Sequence, residues 1–128
     1  MSIDASGSLG QLLRSLAYKI MTDLSVSFPC RVESFDSGTG MATVQPLTRL
    51  GDVPPALITN VPALGQRLTI NGTEQVCRPA LKRGDTVLVV CADRQIKNSL
   101  AGQIAKPDSA RMHDHNDAVI VGVFPCSL

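Results

Sequence analysis

Hydrophobic positions along the chain fall into two regimes that change over near Val26. In SGSLGQLLRSLAYKIMTDLS, residues 6 to 25, Leu9, Leu12, Leu13, Leu16, Ile20 and Leu24 recur at spacings of three and four. That period draws a single apolar stripe along a helix. Ser6 or Ser8 offers a hydroxyl to cap its start. A stripe this rich in leucine has to be covered by the domain itself, by a sister subunit or by another protein.

Beyond this point the period shortens. Val26, Phe28, Cys30 and Val32, then Phe35, roughly alternate with polar residues, and Met41 to Leu47 forms a second β-rich run after DSGTG. The two runs predict a hairpin. Pro54 and Pro55 interrupt the chain before ALITNVPAL, whose own proline suits an edge strand or an extended connection. LTINGTEQV sets Asn71-Gly72 between two β-prone arms, a strong hairpin signal because the tightest turns need positive φ at both central residues. In LKRGDTVLVVCADR a turn at Gly84-Asp85 leads into Thr86 to Cys91, an apolar run of the kind found in strands buried on both faces. Residues 95 to 110 are mixed and predict a short helix or a loop. AVIVGVFP, residues 118 to 125, is the final strand. An N-terminal amphipathic helix, about five strands and an irregular crossover predict an all-β fold, a small five-stranded OB-fold-like barrel. Residues 1–25 would form a helical docking segment and 26–128 the barrel domain.

Composition narrows the functions this fold can carry. At 128 residues the chain is the size of one domain, and 44% hydrophobic against 18% charged residues excludes wholesale disorder and points to apolar surface covered by a partner. A net charge of +1, drawn from 12 basic and 11 acidic side chains, leaves no basic field to gather phosphates. Tyr18, Phe28, Phe35 and Phe124 are the only aromatics, so platforms for stacking bases or sugars are few. Cys30, Cys77, Cys91 and Cys126 form no CxxC pair and read as small unbridged residues of a reducing compartment. With no signal peptide and no run of about 18 apolar residues, the expected place of synthesis and folding is a cytoplasm.

The chemistry that stands out is RMHDHNDAVIVG, residues 111 to 122. In an extended segment His113 and His115 would face the same side. Two imidazoles fall short of the three or four ligands of a stable site, and Asp114 would face away. The pair is a metal candidate only on a three-fold axis, where three copies would pool their nitrogens; otherwise it is a polar lead-in to the last strand. These histidines with Asp114 or Asp117 could form a base and its orienter, yet no serine or cysteine sits in a nucleophile motif such as G-x-S-x-G. GxxxxGK[ST], GxGxxG and HExxH are absent as well. The expectation is a protein that is not an enzyme and uses no cofactor. Lys82, Arg83, Arg94 and Lys97 are the only basic concentration, and the strand beside them offers Val87, Leu88, Val89 and Val90 rather than aromatics, which favours solvated turn residues.

Taken in order, PALITNVPAL, LKRGDTVLVVCADRQIKN and RMHDHNDAVIVGVFP resemble the OB-fold base domain of the central spike proteins of contractile-tail bacteriophages. The matching positions are Val61 and Pro62; Gly84, Asp85, Val87 and Leu88; Arg94; then Arg111, His113, Asp117 and Ala118, within roughly residues 26 to 125. The resemblance implies a structural virion protein, a homotrimer seated on the tail axis below the baseplate hub. Assembled in the host cytoplasm, it would meet the host envelope only transiently, when the sheath contracts, and would bind no nucleic acid. Gly84 and Asp85 would be structural. Members commonly continue into a trimeric needle whose tip can carry His-x-His iron ligands, whereas this chain stops at Leu128. That implies a separate tip protein, or an adaptor role between hub and tip, and it weakens the metal reading of His113 and His115. The stripe Leu9, Leu12, Leu13, Leu16, Ile20 and Leu24 becomes a docking element for the hub or a neighbouring subunit. Two other classes stand against this reading: an OB-fold module binding oligonucleotide or oligosaccharide, and a small metal-dependent enzyme built on the histidines. Near-neutral charge and scarce aromatics count against the first, and the missing third ligand against the second.

Overall fold

The computed structural model describes residues 5–128. The elements run α1 (Ala5–Asp23), β1 (Ser27–Asp36), β2 (Met41–Pro46), β3 (Ile58–Pro62), β4 (Gln66–Ile70), β5 (Thr73–Cys77), β6 (Thr86–Cys91) and β7 (Ala118–Val123), with single 3-10 turns at Lys97–Ser99, His115–Asp117 and Pro125–Ser127. The first four residues of the expected docking segment lie outside the described residues. Because α1 already includes Ala5, Ser6 and Ser8 fall inside the helix rather than ahead of its start.

Five strands form one antiparallel sheet in the order β3-β2-β1-β6-β7. Irregularities in register lie between Val32 and Ser34, Ala42 and Val44, and Leu88 and Val89. Each such bulge adds bend and twist. Here they curl the sheet until its two edges approach, with a parallel bridge between Ala63 and Ile120 and the Leu64 N–H donating to the Ile120 carbonyl at 3.0 Å. The result is a mostly β half-barrel with one N-terminal helix, the fold class the sequence predicts. Its interior is filled by small and β-branched side chains, among them Cys30, Val32, Val44, Val61, Val87 and Val89, which suit a pleated, inward-facing surface.

Local turn chemistry sets the frame. Gly84 takes φ +95°, and the turn is tied to β1 by Gly84 N–H to the Val32 carbonyl and Val32 N–H to the Asp85 carbonyl, both at 2.8 Å. The Asp85 carboxylate accepts from Lys82 N–H at 2.9 Å. β3 is an edge strand, as its proline requires. Residues 95–110 are loop apart from one 3-10 turn.

Two expectations need correction. β6 is not buried on both faces: Val87, Val89 and Cys91 point into the core while Leu88 and Val90 are only half-buried, the one-sided pattern of an antiparallel sheet whose other face meets solvent. The Asn71-Gly72 hairpin forms as expected, with φ of 51° and 76° at the two residues, the positive pair that a type I′ turn requires. Yet β4 and β5 make a separate two-stranded sheet whose residues are all exposed.

Candidate functional site

The histidine segment is not extended. His113 has φ +47°, and Asp114 caps the following turn by accepting the Asn116 N–H at 2.8 Å. The reversal separates the two rings that an extended chain would align. His113 Nε2 lies 3.4 Å from an Asp93 carboxylate oxygen, and its Nδ1 is buried without a partner. His115 turns to the other end of the segment, with Nε2 2.9 Å from the Ser25 hydroxyl and its ring stacked at a tilt on Phe28, centroids 5.2 Å apart. The backbone takes part as well, since Ser25 N–H donates to the His113 carbonyl at 3.3 Å. The segment therefore fastens the junction between α1 and β1 to the barrel. Among the described residues no three His, Cys, Asp or Glu side chains converge.

The other polar feature of this stretch is Asp117, the one buried charged residue among those described. Arg111 reaches it with two hydrogen bonds, Nε at 2.8 Å and Nη2 at 3.0 Å, and the Ile96 N–H adds a third at 3.3 Å. The Arg111 hydrogen bonds, helped by the Ile96 N–H and by Arg111's charge, outweigh burial and hold the Asp117 carboxyl below the usual range. The Asp117 hydrogen bond raises the Arg111 pKa in turn. The Ala92 N–H donates to the Asp117 carbonyl at 2.9 Å, so the pair pins the long 92–117 connection across the start of β7. In the sequence Arg111 and Asp117 stand apart; the signal that joins them is an acidic residue directly ahead of a buried strand, where an unpaired charge is not tolerated.

The remaining candidates spread out. All four cysteines are free, Cys30 and Cys91 in the core and Cys77 and Cys126 exposed. Lys82, Arg83, Arg94 and Lys97 lie on exposed turns and loop. Phe28 and Phe35 are partly buried and pack against the core. A groove of about 600 Å³ runs beside β7, lined by Leu64, Cys77, Pro79, Leu81 and Ile120; it is largely apolar.

α1 is the largest uncovered feature. Leu9, Leu12, Leu13, Leu16 and Ile20 are each more than half exposed, Leu24 is 40% exposed, and no strand packs along the helix. The barrel itself does not cover the stripe.

The sheet that these residues frame coincides with a known family. The model of the phage protein Gp138 N-terminal domain matches residues 28–122. The chain belongs to this family. The match begins in β1 and ends in β7, so it takes in the whole half-barrel, including the Gly84-Asp85 turn and the Arg111–Asp117 pair, and leaves α1 outside. No curated protein matches the chain. Membership in this phage family supports a structural, virion-associated protein, the coarser part of what the resemblance implied.

Proposed function

We propose that the chain is a trimeric OB-fold spike, or a hub-to-tip adaptor, in the baseplate of a contractile phage tail. The observation that carries this reading is the family match over the entire half-barrel. Topology supports the OB-fold: a β1-β2-β3 meander, β6 on the other side of β1, and β7 returning beside β3 in parallel make a partly open five-stranded barrel. In this role the work is mechanical. Sheath contraction drives a stiff, symmetric body toward the host envelope, and what the chain contributes is a well-packed barrel and a firm seat.

The parts fit such a body. The Gly84-Asp85 turn, the bulged strands and the Arg111–Asp117 pair brace the barrel, while α1 projects an uncovered apolar face for attachment. Removing residues 1–24 from the phage-encoded protein is expected to leave a β-rich, cooperatively folding barrel by circular dichroism. The truncated chain should be missing from purified tails. Its incorporation at wild-type level would contradict α1 as the attachment element.

A further inference from the structure

The uncovered face of α1 has the pattern of a self-complementary seam. Leu9, Leu13, Leu16 and Ile20 follow one another at spacings of four, three and four, the a/d rhythm of helices that wind on copies of themselves. Each is between 52% and 56% exposed, and no ionic or hydrogen-bonding group interrupts the four layers. The positions beside the seam are Leu12 and Lys19 on one side and Gly10, Ala17 and Leu24 on the other. A two-helix seam covers only a and d positions and would leave Leu12 and Leu24 in water. A bundle of more than two helices uses this wider stripe.

We propose that the α1 helices of three copies pack on one another as a parallel bundle on the assembly axis, with the barrels at its C-terminal end. The number of copies rests on the trimeric reading above; the contact surface comes from α1 itself. The six stripe residues expose roughly 500 Å² per helix, so three copies withdraw roughly 1,500 Å² in all, within the range of a standard specific interface. Orientation follows from the tether. Only Leu24, Ser25 and Val26 separate α1 from β1, and Ser25 is held from both sides by the His113 carbonyl and the His115 ring. The helix thus leaves each barrel from a fastened root, and symmetric copies present their seams in parallel. At 19 residues α1 is about 28 Å long, short of the three to four heptads of a self-standing coiled coil, so the barrels share in holding the assembly.

The test uses the full chain with Cys77→Ser and Cys126→Ser, which removes the two exposed thiols. Leu16→Cys places a thiol in the seam and Tyr18→Cys places one on the opposite face; both sites are exposed, so the barrel fold is unaffected. Light scattering reads the mass, and mild oxidation followed by non-reducing electrophoresis reads contact. The expected result is a trimeric mass, with at least tenfold more cross-linked chain for Leu16→Cys than for Tyr18→Cys. A trimeric mass with equal or no cross-linking at the two sites overturns the bundle and leaves the trimer standing. A dimeric mass with cross-linking at Leu16→Cys overturns the three-helix form. A monomeric mass overturns both the bundle and the trimeric reading.

Discussion

Asp117 shows how one residue ties the chemistry of a crowded segment to the stability of the barrel. Its carboxylate is almost fully buried and held by Arg111, whose side chain stays 30% exposed. The two ends of the pair are therefore unequal. Asp117→Ala frees a guanidinium that can still reach water and should cost about 2 kcal/mol. Arg111→Met strands a carboxylate in the core and should lower the melting temperature further, an order that thermal unfolding of the two variants checks. The pH dependence has a definite sign. The carboxyl titrates lower in the folded than in the unfolded chain, so its contribution is complete above the unfolded value of about 3.9 and is lost as pH falls through the folded one. Asp117→Asn should flatten the acid limb of the stability curve below about pH 4; an unchanged limb would assign that limb to other carboxyls. The cysteines give a second residue-level outcome. Burial pushes the Cys30 thiol up to about 12 and the Cys91 thiol up to about 11, so both stay neutral and shielded at neutral pH. A disulfide reagent should modify Cys77 and Cys126 in the native protein, and Cys30 and Cys91 only after unfolding.

Elements differ in how firmly they are held. β4 and β5 form a two-stranded sheet with every residue exposed, and a lone hairpin is only marginally stable in water. Amide exchange should therefore be fast over residues 66–77 and slow in β1 and β6. Gly72→Val forces a β-branched residue into φ +76°; it should disorder the hairpin and shift the melting temperature of the barrel by no more than a degree or two, whereas a large drop would mean that the hairpin braces the core. These elements also show what was legible in the sequence. The helix, the β1-β2 and Asn71-Gly72 hairpins, the Gly84-Asp85 turn and the last strand rest on local periodicity and turn chemistry, and all formed where expected. The detachment of β4 and β5 was not legible, because alternation says which residues extend and not which strand they pair with. The reversal at His113 was not legible for a related reason: a positive φ there is set by the contacts that turn the chain at Asp114 and Ser25, far apart in sequence. For the Arg111–Asp117 pair the sequence offers an acidic residue ahead of the last strand, and the closed barrel is what buries it and brings Arg111 to it.

At the scale of the molecule, the chain joins a half-barrel of near-neutral net charge to one uncovered leucine-rich helix. Its family places it among phage proteins, and under the proposed function the apolar face of α1 is the surface that neighbours cover. The helix bundle also predicts that Leu13→Asp, which puts a charge into each copy of the seam, leaves the barrel folded, breaks the trimer and lowers its incorporation into tails at least tenfold, measured by immunoblot of purified particles against a sheath protein standard. The central claim is that the chain sits as a trimer on the tail axis. A cryo-electron microscopy map of the assembled tail tip tests it most directly. The account predicts a three-fold body of three half-barrels just below the hub, with three α1 helices converging on the axis; density for the chain off the axis, or in a single copy, would contradict it.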